Sequence, residues 1–207
     1  MRILHISDTH GCHRRITYLP DADVLIHSGD ITMYDTEQEI MDFLEWLCDL
    51  PYAHNIFICG NHDILLEDAE INGFPPNVHF LRNSGVEIDG VKFHGISMFI
   101  NDATSGRLIR NYANIPEDTD VLITHEPPYG IMDLDNVFSE EFIHNGSPEL
   151  LQRVQGLHLR AHLFGHIHRQ HGIERLSTSA SNETVFSNGA IMNDDYTNLF
   201  KPNIIEI

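Results

Sequence analysis

Five short apolar runs each pass, within one or two residues, into side chains of metal-ligand type. Residues 3–7 lead to Asp8-Thr9-His10, 24–28 to Gly29-Asp30, 56–59 to Gly60-Asn61-His62-Asp63, 121–124 to His125, and 163–164 to Gly165-His166-Ile167-His168. Asp8, His10, Asp30, Asn61, His125, His166 and His168 offer oxygen and imidazole nitrogen without thiolate, a set suited to Mn, Fe, Zn or Ni rather than to a lone Mg. Seven such donors exceed what one catalytic ion takes while keeping a position open. Two ions about 3.5–4 Å apart, sharing one carboxylate and a bridging hydroxide, would use them all. Singly, each motif has an ordinary reading: Gly, Asn and Asp are favoured turn residues, and a histidine at a strand end needs no metal. Their joint order points to a binding centre, because turn chemistry alone has no reason to place ligand types at five strand ends.

Such side chains converge only if the elements beneath them form an α/β sheet, whose strand carboxyl ends open on one crevice. The sequence has the required alternation, with strands expected at 3–7, 24–27, 55–59, 121–124 and 157–164. Between the second and third of these, residues 37–50 carry Ile40, Phe43, Leu44 and Leu47 at helical spacing, with Thr36 and Glu39 as a capping box and Pro51 as a stop. Residues 86–93 alternate around Asp89-Gly90, the signal of a β-hairpin. Ser147 and Pro148 open a helix running to 155 with Leu150, Leu151 and Val154 facing inward. A β pattern returns after 170 and ends at 203–207. The polar, Asn-rich segment 97–119 is expected to be a long surface loop with a little helix, an element of the kind that shapes a substrate mouth.

The chain has 207 residues, 42% apolar and 21% charged, the composition of a globular domain large enough to bury a core without metal or disulfide staples. One domain over 1–207 is expected, since no linker, low-complexity tract or repeat interrupts it. Acidic residues outnumber basic ones by 31 to 12, so the net charge of -19 disfavours duplex nucleic acid as a partner. Small anionic substrates stay open, because two divalent ions can invert the field inside one cleft. Three cysteines without C-x-x-C spacing support neither a disulfide framework nor a zinc ribbon and fit a reducing compartment. No signal peptide or membrane span is expected, and the reading is a cytoplasmic protein.

Asp8-x-His10, Gly29-Asp30, Gly60-Asn61-His62-Asp63, His125 and Gly165-His166-x-His168 together resemble the full motif set of the calcineurin-like metallophosphoesterases, in order and intact over residues 1 to about 170. Residues 7–11, 115–130 and 164–168 are similar to a subgroup, the small metallophosphoesterase domain-containing proteins. The resemblance implies a four-layer α/β/β/α sandwich of two mixed sheets flanked by helices. It also implies two divalent transition-metal ions, with Mn expected to support activity: Asp8, His10 and His168 on the first, Asn61, His125 and His166 on the second, and Asp30 bridging. His62 would protonate the leaving oxygen or steady the phosphoryl oxygen, with Asp63 holding its ring. Some relatives lack the first histidine of the last motif, which here is present as His166.

The subgroup consists of cytosolic phosphodiesterases with activity on cyclic nucleotides and model diesters, so a small phosphate ester, most naturally a diester, is the expected substrate. A diester carries one negative charge and needs only the ion pair to neutralise it, whereas monoesterases usually add a cation. Here only Arg14, Arg15 and Arg169 adjoin the motifs. The rivals are a phosphomonoesterase or nuclease of the same superfamily, and a non-catalytic scaffold, whose members often lack the histidine present here as His62. His5 and His27, inside strands, read as packed or supporting groups. His13, Arg14, Arg15, Arg169 and His171 have two readings, a phosphate or base contact and a solvated loop.

Overall fold

The computed structural model describes residues 1–136, 141–179 and 182–207. Its first sheet contains β1 (Arg2–Ile6), β2 (Val24–Ser28), β3 (His54–Ile58) and β4 (Val78–Phe80), all parallel and in that order. Its second sheet contains β5 (Ser84–Ile88), β6 (Val91–Ile96) and β7 (Val121–Thr124). Leu134–Asp135 (β8) and Ile143–His144 (β9) form a small separate ribbon, and β10 (Ala161–Phe164), β11 (Gly172–Ser179) and β12 (Asn182–Asn188) complete the second sheet in the order β11-β12-β10-β7-β6-β5. The last strand, β13 (Asn203–Glu206), returns to the first sheet and pairs antiparallel with β1, Ile3 opposite Ile205.

Three apolar layers hold these sheets, and each follows from strand alternation. Ile3, Val24, Ile26, Ile56 and Ile58 face Phe93, Val121, Ile123, Leu163 and Val185 between the two sheets. Leu4, Ile6, Leu25 and Phe57, one residue out of phase, face outward under α1 (Glu37–Cys48), which buries Ile40, Phe43, Leu44, Trp46 and Leu47 on them. On the far side Leu122, Phe164 and Phe186 pack with α3 (Arg107–Ala113), which follows α2 (Ile100–Thr104), and with α4 (Pro148–Gln155). The result is the α/β/β/α sandwich. Each buried aliphatic or aromatic side chain contributes roughly 1.5–3 kcal/mol relative to exposure.

The capping box of α1 forms as expected: Thr36 Oγ1 accepts from Glu39 N–H at 3.2 Å while Glu39 accepts from Thr36 N–H at 3.3 Å. Ser147 caps α4 through Leu150 N–H at 3.2 Å. Three expectations need correction. The strand expected at 157–164 begins only at Ala161, because Leu157 and Leu159 spend their alternation on the core beside α4. The segment 97–119 holds more helix than expected and is anchored to the core: α2 and α3 lie within it, and Phe99, Leu108, Tyr112 and Ile115 are buried. Helix α1 ends at Cys48, ahead of Pro51. Among the described residues no helix is long and apolar enough to cross a membrane.

Candidate metal centre

β1, β2 and β3 run parallel, as do β6, β7, β10 and β12, and a parallel bridge from Ser7 after β1 to Ala190 after β12 turns the carboxyl ends of both sheets to the same side. The five loops meet there. Glycines allow the approach: a Cβ on Gly60 would lie 2.1 Å from Asp30 Oδ1, and one on Gly165 would lie 2.1 Å from Asp8 Oδ2. Asp8, His10, Asp30 and His166 have φ of 52°, 42°, 54° and 68°, a left-handed conformation that costs a non-glycine residue roughly 1–2 kcal/mol. Four ligand-type residues held this way mark a place where the surrounding fold dictates the backbone.

Three overlapping groups form here. Asp8, His10 and His168 bring their ligand atoms within 4.8 Å of one another, and so do Asp30, His125 and His166, while His10, Asp30 and His62 make a third set between them. The two oxygens of Asp30 look both ways, Oδ1 at 3.3 Å from His125 Nε2 and Oδ2 at 3.7 Å from His10 Nε2. His62 stands at the rim, its ring 4.8 Å from that of His10 and its backbone N–H donating to Asp30 Oδ1 at 3.0 Å.

The donor and acceptor roles show what the cleft is built to hold. His125 Nδ1 lies 2.9 Å from the carbonyl of Ser28, which can only accept, so Nδ1 carries a proton and, in the neutral ring, Nε2 a lone pair. That lone pair faces Asn61 Oδ1 at 3.1 Å and Asp30 Oδ1 at 3.3 Å, two further acceptors. His10 repeats the pattern: Nδ1 donates to Thr32 O at 3.2 Å and Nε2 faces His168 Nε2 at 3.3 Å. Acceptors that converge without a donor require a cation between them or a proton on one of them. The same neighbours govern the ionisation of these groups. Burial opposes charge on His125, but Asp30 overrides it and raises the imidazole to about 10, while burial of Asp30 is outweighed by His125 and its carboxyl falls to about 2. Burial and the charge of His125 depress His166 to about 4. The donor set fits a pair of divalent ions.

Asp63 is a correction. Its carboxylate does not touch the ring of His62, whose Nδ1 instead lies 3.4 Å from Met33 O. Fully buried, Asp63 accepts from the backbone N–H groups of Ile31 and Thr32, both at 3.0 Å, and of Gly60 at 2.9 Å. Those amides lie in the loops carrying Asp30 and Asn61, so Asp63 ties the two loops together and is saturated by that work. His27 plays a related part, accepting from Gly29 N–H at 3.3 Å and facing Thr9 Oγ1 at 3.0 Å, while His5 lies between Ser187 and Ser28 at 2.8 and 2.9 Å. None of the three adjoining arginines points a free guanidinium at the centre: Arg14 pairs with Asp42 and Glu45, Arg15 donates to Thr197 O, and Arg169 pairs with Asp194.

One residue carries no signal in its sequence surroundings. Tyr196, 39% exposed, sets its ring 5.1 Å from His10 and 5.3 Å from His168.

Residues 1–170 match the family model for calcineurin-like phosphoesterases. A UPF0046 protein of Caenorhabditis elegans is 33% identical over 93% of this chain and 70% of its own length. Human metallophosphoesterase domain-containing protein 1 is 28% identical over 100% of this chain and 71% of its own length. A solved structure of a Mycobacterium tuberculosis phosphopantetheinyl hydrolase superposes with a TM-score of 0.57 at 14% identity, covering 94% of this chain and 90% of that one, a likeness of fold. The chain belongs to the calcineurin-like phosphoesterase family.

Proposed function

We propose that this phosphoesterase is a phosphodiesterase acting on small diesters, cyclic nucleotides among them. In this reading Asp8, His10 and His168 hold one ion, Asn61, His125 and His166 the other, and Asp30 serves both. The observation that carries it is the convergence of His125 Nε2, Asn61 Oδ1 and the Asp30 carboxylate, side-chain ligand atoms that a cation would join. Bound there, a pair of divalent ions supplies Lewis acidity toward phosphoryl oxygens and a water that ionises near neutral pH. Mn is the ion expected to support turnover best. The protein's own contribution is positional. Ser28 O and Thr32 O fix the tautomers of His125 and His10, and Asp63 keeps the Asp30 and Asn61 loops in register. His62 gives the departing oxygen its proton, acting from the rim of the cleft.

The diester preference is supported by charge. With Arg14, Arg15 and Arg169 engaged elsewhere, no guanidinium beside the motifs is left to meet the second negative charge of a monoester. The three cysteines, all unpaired, suit the cytoplasm. The test is a comparison of bis(p-nitrophenyl) phosphate with p-nitrophenyl phosphate at equal concentration on Mn-reconstituted protein, followed by cyclic nucleotides. Faster cleavage of the diester is expected. A large preference for the monoester across metals and pH would assign the chain to the phosphomonoesterases instead.

A further inference from the structure

The segment that carries Tyr196 is bound down from three directions. Within it, Tyr196 N–H donates to Asn193 O at 2.9 Å, and Asn193 Oδ1 accepts from Thr197 N–H and Asn198 N–H, both at 2.9 Å. From the loop after His10, Arg15 Nη2 donates to Thr197 O at 3.1 Å. From the loop after His168, Arg169 pairs with Asp194. The two arginines that trail ligand loops, and that a phosphate-binding role would have explained, clamp this loop instead.

What the clamp presents is a phenol. Tyr196 stands against His10 and His168 with its ring plane at 77° and 71° to theirs, and its φ of 58° is the left-handed conformation a tyrosine seldom adopts. No hydrogen bond within the protein occupies its hydroxyl among the described residues, although its own N–H and those of Thr197 and Asn198 are bonded within the loop. Among the described residues the His125 and His166 half of the centre has no such companion; those two rings pack on each other, 5.0 Å apart. The cleft is therefore asymmetric, with His62 and Tyr196 both set against His10.

We propose that Tyr196 is a substrate-contacting residue whose phenol O–H donates a hydrogen bond to a non-bridging phosphoryl oxygen of the ester. The inference rests on the phosphoesterase reading above and adds the neutral donor that a site without a free guanidinium needs. A neutral donor steadies the single charge of a diester without over-binding the dianion of a monoester product. The two trailing arginines are positioning residues that act through the loop.

The experiment uses Tyr196→Phe in the full chain, which removes one oxygen and keeps the ring against His10 and His168. Metal content, calorimetric affinity for inorganic phosphate, and kcat and KM on bis(p-nitrophenyl) phosphate are measured on Mn-loaded protein. Expected are two Mn retained, phosphate bound about tenfold more weakly, and kcat/KM lower by about 10- to 100-fold, the size of one hydrogen bond to a charged oxygen. Arg15→Gln should move the same quantities in the same direction by less, and the double variant should be no worse than Tyr196→Phe. Values for Tyr196→Phe within twofold of the unaltered protein, with full metal, overturn the assignment. So does loss of Mn in step with activity, which would make Tyr196 a packing support for its two histidines. If the unaltered protein binds phosphate yet hydrolyses no ester, the functional reading falls, and the phosphate affinity of Tyr196→Phe still decides the role of the hydroxyl.

Discussion

His10 and His168, 158 residues apart, present their Nε2 atoms to each other at 3.3 Å, and the Nδ1 of His10 is already committed to Thr32 O. Two imidazoles do not approach this way to share a proton alone when Asp8 Oδ1 stands 4.0 Å from one and 3.4 Å from the other. The expected outcome is two transition-metal ions per chain after reconstitution with Mn, measured by elemental analysis and anomalous scattering. Asp30→Asn should be the most damaging single ligand change, since it removes charge from both halves. One ion or none in the unaltered protein, with Mn in excess, would sink the dinuclear reading.

For His62 the informative variable is the leaving group. His62→Ala should retain both ions, because the ligand sets do not need it. On a diester whose departing oxygen is an alkoxide, turnover should fall by about a hundred- to ten-thousand-fold. On bis(p-nitrophenyl) phosphate, whose leaving anion is stable, the loss should be much smaller. Equal losses on both would mean that His62 binds the phosphoryl oxygen instead of protonating the leaving group.

Asp63→Asn should show no such dependence on leaving group. Its amide keeps one acceptor, but an NH2 now opposes either Gly60 N–H or the N–H groups of Ile31 and Thr32. A buried donor left without a partner costs about 1–3 kcal/mol, and the loosened loops should weaken Mn binding by about 10- to 100-fold. Chemical denaturation and metal titration read these separately. A leaving-group pattern like that of His62→Ala would restore the role that the sequence suggests for Asp63.

Acid sensitivity has a source away from the ligands. His162 donates through Nε2 to Thr124 Oγ1 at 2.9 Å, and burial lowers its pKa to about 3 from 6.5. Between those values the unfolded chain binds a proton that the folded one refuses, so stability falls as pH drops from about 6.5 toward 3. The slope for one such group is on the order of 1.4 kcal/mol per pH unit. His162→Gln keeps a donor and cannot titrate, so urea unfolding of that variant between about pH 6 and 4 should be less steep in pH by about that amount. An unchanged slope would place the sensitivity elsewhere, His5 and His27 being the next candidates, since burial lowers both to about 3.

The convergence of Asp8, His10, Asp30, Asn61, His125, His166 and His168 is legible because each is tied to local punctuation, an apolar run followed by Gly, Asp, Asn or His. The capping box at Thr36 and the Asp89-Gly90 hairpin were legible for the same reason. Asp63 was misread because its neighbour in sequence, His62, is not its neighbour in space. Its partners, Ile31 and Thr32, are about thirty residues away. Leu157 and Leu159 alternate as a strand does, yet a helix neighbour takes them before any strand can. Tyr196 lies in a polar stretch with no period, and long-range contacts of its loop, those of Arg15 with Thr197 and Arg169 with Asp194 among them, bring it to the centre.

The pairing of β1 with β13 has a bearing on how the molecule is made. The strand that carries Asp8 and His10 into place has β2 as one neighbour, but its other neighbour is drawn from residues 203–206, the last strand of the chain. A polypeptide emerging from the ribosome therefore exposes one edge of β1 until residues 203–206 have been made, and His166 follows Asp8 by 158 residues. Contacts of such sequence separation are slow to form, and an unpaired strand edge meanwhile invites association with other chains. The candidate metal centre thus cannot assemble before residue 168 is available, and the edge of β1 beside it is covered only once residues 203–206 are present.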